Sequence, residues 1–193
     1  MSTIKTNQLA HTANGASVYT LPQTDGSAGQ VLQTNGSGVL SWVTPASGIT
    51  HAQTWRRGSF TGTADPIMNY AKYTSTNHGS LGSDMTEGSG IFTFPVTGFW
   101  HIKVQGYLYK SSNVPSATIG IKTTIDNQQN YALSGNTYYT HVDGDGGTQY
   151  NQSNNTIIFD VTDTSQCKVK FIAQGSGGNW DSSHIEFIRL GDT

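Results

Sequence analysis

The stretch GSGIFTFPVTGFWHIKVQGYLY, residues Gly88 to Tyr109, decides the fold class. From Phe99 to Tyr109 the residues alternate, with Trp100, Ile102, Val104 and Leu108 on one side and His101, Lys103, Gln105 and Tyr107 on the other. That period of two belongs to a β-strand with one face in a core and the other toward solvent or a neighbouring chain. Pro95 can open a strand edge but cannot sit inside a ladder, and Gly98 permits the turn that starts the strand.

Working outward, the same alternation recurs at Ile119, Ile121 and Ile125, at Ile157, Phe159 and Val161, at Val169 and Phe171, and at Ile185 and Phe187. Clusters of Gly, Asn, Asp and Ser separate these runs, and no segment carries a long amphipathic helical pattern. The pattern predicts an antiparallel all-β sandwich or barrel from residue 48 to residue 193.

Toward the N-terminus the pattern changes. Residues 1–20 show no sustained period, and their few large apolar side chains, among them Ile4 and Leu9, cannot build a core. They read as an arm ordered by a partner. Residues 21–47 contain a short duplication, QTDGS at Gln23–Ser27 and QTNGS at Gln33–Ser37, each with a step that favours a tight turn. GQVLQT and GVLSWV read as two strands of a hairpin. A lone hairpin is marginal in water, so Val31, Leu32, Leu40 and Trp42 need further surface, which copies around a three-fold axis would supply. Thr44, Pro45, Ala46, Ser47 and Gly48 then break regular pairing, placing a neck between arm and head.

Composition excludes several classes of function. Of 193 residues only 11% are charged, against roughly 25% in ordinary soluble domains, and the net charge is -2. No basic patch is available for nucleic acid. No run reaches the roughly 18 apolar residues that cross a membrane. The start, MSTIKTNQLAHT, lacks the apolar centre of a secretion signal, which predicts synthesis in a cytoplasm. Cys167 is the sole cysteine and reads as a small buried hydrophobe.

No chemistry-bearing constellation emerges. The acidic residues sit in turns rather than as a carboxylate pair in an apolar setting, and the six histidines are widely spaced. Asp143 and Asp145 in HVDGDGGTQY could wrap oxygen ligands around calcium, although the run lacks further acidic ligands and reads first as a flexible strand connection. Tyr138, Tyr139, Tyr150 and Trp180 lie among Asn, Gln, Gly and Ser, a mixture suited to stacking on a host-surface glycan and also to a wet subunit interface.

Gly90, Phe92, Phe94, Pro95, Gly98 and Phe99 resemble the central signature of the complement and tumour-necrosis-factor-like globular heads. SSHIEFIRLG resembles the final strand of those heads, with Glu186 where a small residue is usual. LPQTDGSAGQVLQTNGSGVLSWV resembles a segment of bacteriophage fibre proteins. The resemblances imply a jelly-roll head carried on an arm and a β-hairpin neck, assembled as a homotrimer without enzymatic activity. They further imply residence in a virion, attachment to another virion protein through Ile4 and Leu9, and adhesion to a host glycan or protein by the far loops. A purely structural capsid or tail decoration protein is the alternative, with a glycan depolymerase behind it.

Overall fold

The computed structural model describes residues 6–10, 18–45, 48–110, 114–136, 139–142, 149–175 and 179–193. The chain divides into two compact units, Met1–Ser47 and Gly48–Thr193.

The first unit contains four short strands, β1 (Gln8–Ala10), β2 (Val18–Thr20), β3 (Val31–Thr34) and β4 (Leu40–Val43). β1 pairs with β2 with Leu9 opposite Tyr19, and β3 pairs with β4 with Leu32 opposite Trp42. The first pair corrects the reading of residues 1–20 as lacking strand structure; three-residue strands are too short for a period to show. The duplicated pentapeptides also part company. Asn35 accepts hydrogen bonds from the Ser37 and Val39 amides at 2.8 and 3.2 Å, and Gly36 and Gly38 take positive φ, so the second copy is the hairpin turn. In the first copy Gly26 instead lies under the Trp42 ring, where a Cβ would stand 2.6 Å from Cδ2. The Trp42 indole N–H completes that contact by donating to the Thr24 carbonyl at 2.9 Å.

The second unit begins with β5 (Ala52–Arg57), β6 (Phe60–Thr61), β7 (Ala71–Lys72), β8 (Thr86–Gly88), β9 (Ile91–Thr93) and β10 (Gly98–Lys110). It continues with β11 (Val114–Thr124), β12 (Ala132–Asn136), β13 (Tyr139–Val142), β14 (Gln149–Val161), β15 (Lys168–Gly175) and β16 (Asn179–Gly191). They form two antiparallel sheets. The front sheet runs β14-β10-β16-β5-β7 with β6 also on β16, and the back sheet runs β12-β11-β15-β9-β8 with β13 also on β11. From β9 onward the chain crosses repeatedly between the sheets, the winding of a jelly roll.

Alternation puts the expected side chains inside. Trp100, Ile102, Ile119, Ile121, Phe171 and Phe187 are fully buried, as is Cys167. Ile125 departs from the expectation: it lies beyond the end of β11 and is 70% exposed. Phe92 occupies the centre, its ring 5.2 Å from Trp55 and Phe187 of the front sheet and 5.6 Å from Phe171 of the back sheet. Polar groups in this interior are paired. Gln53 donates to the Ser83 carbonyl at 2.7 Å and accepts from the Met85 amide at 3.0 Å, fixing the loop before β8. Tyr70 and Ser183 share a buried hydroxyl bond of 2.6 Å, and burial pushes the Tyr70 phenol far above its ordinary range.

Pro95 lies in the bend between β9 and β10, outside any ladder. Gly98 has φ +135°, and a Cβ there would collide with the Gly191 carbonyl and stand 2.6 Å from Arg189 Nε. Arg189 needs that space. Its guanidinium donates to the Thr97 carbonyl at 2.8 Å and the Thr50 hydroxyl at 3.1 Å, and it pairs with Asp192. The clasp joins the start and the end of the head.

Replacing Phe92 by alanine removes the ring that both sheets share and is expected to destabilise the head by about 3–5 kcal/mol. Urea unfolding followed by tryptophan fluorescence measures it, and a loss as small as that of a surface substitution would contradict the central role given to Phe92.

Candidate interaction surface

The register of β10 with its two neighbours sets out the outer face of the front sheet as a series of rungs. At the end where β10 begins, Phe99 lies between Asp160 and Gly191, and His101 lies between Ile158 and Ile188. In the middle Lys103 lies between Thr156 and Glu186, and Gln105 between Asn154 and His184. At the far end Tyr107 lies opposite Gln152, and Tyr109 opposite Tyr150. β5 widens the face, with Arg56 beside His184 and Ala52 beside Ile188.

The face therefore has an aliphatic end, a charged waist and an aromatic end. Ile158 is 65% exposed and Tyr150 75%, while Phe99, Tyr107 and Leu190 are also exposed. Tyr109 and Tyr150 rings stand 6.1 Å apart, and Gln105 donates to the Tyr107 hydroxyl at 2.9 Å. At the waist Lys103 and Glu186 form an exposed ion pair at 3.5 Å, which adds little stability but imposes a charge pattern that a covering surface must match. His184, with its ring 6.3 Å from Tyr107, has its pKa lowered by burial and then by Arg56, with Glu186 opposing.

The expected site residues fall in different places. Tyr150 belongs to the aromatic end of this face. Trp180 does not serve as an exposed platform for a sugar: it is 1% exposed, pairs with Leu108 and stacks on Phe60 at 5.8 Å. Its polar sequence neighbours conceal a position that alternation along β16 turns inward. Tyr139 lies in β13, whereas Tyr138, Asp143, Asp145 and Ile4 lie outside the described residues. Among the described residues no cluster of three or more His, Cys, Asp or Glu could hold a metal ion.

In the first unit Leu9, Val31, Leu32 and Trp42 are all exposed, and Leu40 is partly buried. Val31 and Leu32 are adjacent in β3 and so point to opposite faces, which makes both faces of the hairpin apolar.

The sequence reading missed Ile158, Ile188 and Leu190 because it followed only the inward set. The signal was present where the alternation fails to turn polar, in the pairs Phe99–Trp100 and Ile157–Ile158.

Because the His184 pKa is depressed in the folded chain, the unfolded chain binds the extra proton first, and stability falls as pH drops from neutrality through 6.5. Urea midpoints measured across this range should fall less steeply in His184→Gln than in the parent protein; parallel curves would remove His184 as a contributor.

Neither a family model nor a curated protein matches the sequence. Solved structures do. Eiger TNF from S. frugiperda superimposes with a TM-score of 0.59 at 12% identity, covering 76% of this chain and 96% of that one. Murine APRIL at pH 5.0 gives 0.52 at 9% identity over 72% of this chain and 99% of its own, and murine APRIL at pH 8.5 gives 0.51 at 9%. At such identities the likeness is one of fold, and the head is a TNF-like jelly roll.

Proposed function

We propose that this chain is the subunit of a non-enzymatic homotrimeric fibre, in which the outer face of the front sheet packs against neighbouring copies. The observation that carries the reading is the pair of apolar ends on that face, Ile158 with Phe99 and Leu190 at one and Tyr107 with Tyr150 at the other. Clustered large apolar side chains on one sheet face mark an interaction surface. Closed cyclic packing buries both ends and opposes charged waists in a fixed register. In this arrangement Tyr150 packs between subunits.

The first unit supports the same reading. Among its described residues none is buried, so its hairpins lack a core of their own, and copies on either side would cover both apolar faces of β3. Val31, Leu32, Leu40 and Trp42 then form a trimeric neck, and the arm with Ile4 and Leu9 attaches to another virion protein. The surface offered to a host glycan or protein is carried by the loops of the head, with Tyr138 and Tyr139 as the residues to test, and three copies multiply weak contacts. A decoration protein with no receptor would share everything but this last step.

Light scattering on a sizing column tests the assembly. The expected mass is three times the 20.7 kDa of one chain, and Ile158→Asp is expected to lower it while leaving the circular dichroism of the fold intact. A parent protein of single-chain mass would overturn the trimer. Competition with virus for host cells then separates an adhesin from a decoration protein.

A further inference from the structure

The turn from β11 to β12, on the opposite sheet from the self-association face, forms an open cleft of about 420 Å³ lined by residues between Thr123 and Ala132. That volume lies within the usual range of small-ligand sites. Ile125, Ala132 and the Tyr131 ring supply apolar wall, and Asp126 and Asn130 supply the polar groups.

Asp126 and Asn130 are held as a pair. The Asp126 carboxylate accepts the Thr124 hydroxyl, the Asn130 backbone N–H at 3.0 Å and one Asn130 side-chain N–H at 2.7 Å. These bonds, the Thr124 one foremost, bring its pKa down to about 2, so it is a carboxylate under all ordinary conditions. A carboxylate has about four acceptor positions and a side-chain amide has two donors and an acceptor, so the pair retains an acceptor beside a donor. Two adjacent hydroxyls of a sugar ring present the matching pattern.

Two further observations single out this turn. The Tyr131 hydroxyl is buried with no hydrogen-bond partner among the described residues, a condition that is unusual in folded proteins. Burial, then Asp126 and Asp65, push its pKa up to about 12, so it remains a donor. Asn127 and Gln128, consecutive and neither a glycine, have φ of +53° and +75°, the left-handed geometry of a tight turn that returns the chain to Asn130.

The charge around the cleft selects a neutral occupant. Asp65 takes both Lys122 at 2.5 Å and Lys170 at 2.8 Å, and Lys170 also lies 4.2 Å from the centre of the Tyr131 ring. Asp126 is the one charged residue lining the cleft itself, and its carboxylate disfavours an acidic occupant.

We propose that this cleft binds a single ring of a neutral saccharide, with one apolar ring face against Ile125 and Tyr131 and two adjacent hydroxyls on Asp126 and Asn130. The inference is independent of the trimeric reading. The ring could come from a free sugar or from the end of a longer glycan, and the two share this chemistry.

Saturation-transfer NMR of the full chain with a panel of neutral methyl glycosides, and separately with oligosaccharides ending in the same sugars, tests the site. At least one glycoside should receive saturation; Ala132→Trp should abolish it, and Asp126→Ala should weaken binding about tenfold while thermal unfolding shows both variants folded. A response from oligosaccharides as well identifies a glycan end as ligand, and one confined to methyl glycosides identifies a free sugar. Silence across the panel, a signal that survives Ala132→Trp, or a stronger response to a uronate than to its neutral parent would each overturn the proposal. The mass of each sample, recorded alongside, keeps the outcome separate from that of the trimer.

Discussion

The head depends on the packing of Phe92 from β9, edge-to-face against Phe171 on its own sheet and Trp55 on the other, and tilted against Phe187. Aromatic rings in such arrangements add specificity of angle to the area they remove from water. β9 is only three residues long, so this ring adds an anchor across the sheets to its short ladders with β15 and β8. Around it the longer strands β10, β14 and β16 are free to carry sequence for another purpose on their outer faces.

That separation of duties explains the composition. The inward set is conventional and apolar, while the outer surface draws on uncharged polar residues in place of Lys and Glu. Side-chain amides and hydroxyls tolerate close approach of another surface without the desolvation that charges impose. Several of the few charges that remain are paired: Asp65 with two lysines, Lys72 with Asp84 at 2.6 Å, and Arg189 with Asp192.

Much of the head was legible in the sequence, for a physical reason. Strands with one buried face write their pattern locally, so Trp100, Ile102 and Val104 announce β10 without help from the rest of the chain. Where placement depends on a distant partner, local reading fails. Trp180 sits in a polar stretch, and only its pairing with Leu108 and its stacking on Phe60 draw it inside. Gly26 looks like a turn glycine until Trp42 is seen above it. The candidate cleft was harder still, because Asp126, Asn130 and Tyr131 become a group only through the path of one short turn.

The Arg189 clasp places the entry of the head, at Thr50, beside its exit, at Asp192. At the opposite pole β10, β13 and β15 finish and β11, β14 and β16 begin. Connections at that pole can therefore lengthen, shorten or be exchanged without rethreading the chain or disturbing its ends. In evolutionary terms the scaffold is anchored at one pole and open to variation at the other, so related proteins could diversify what they touch while keeping unchanged how they are built.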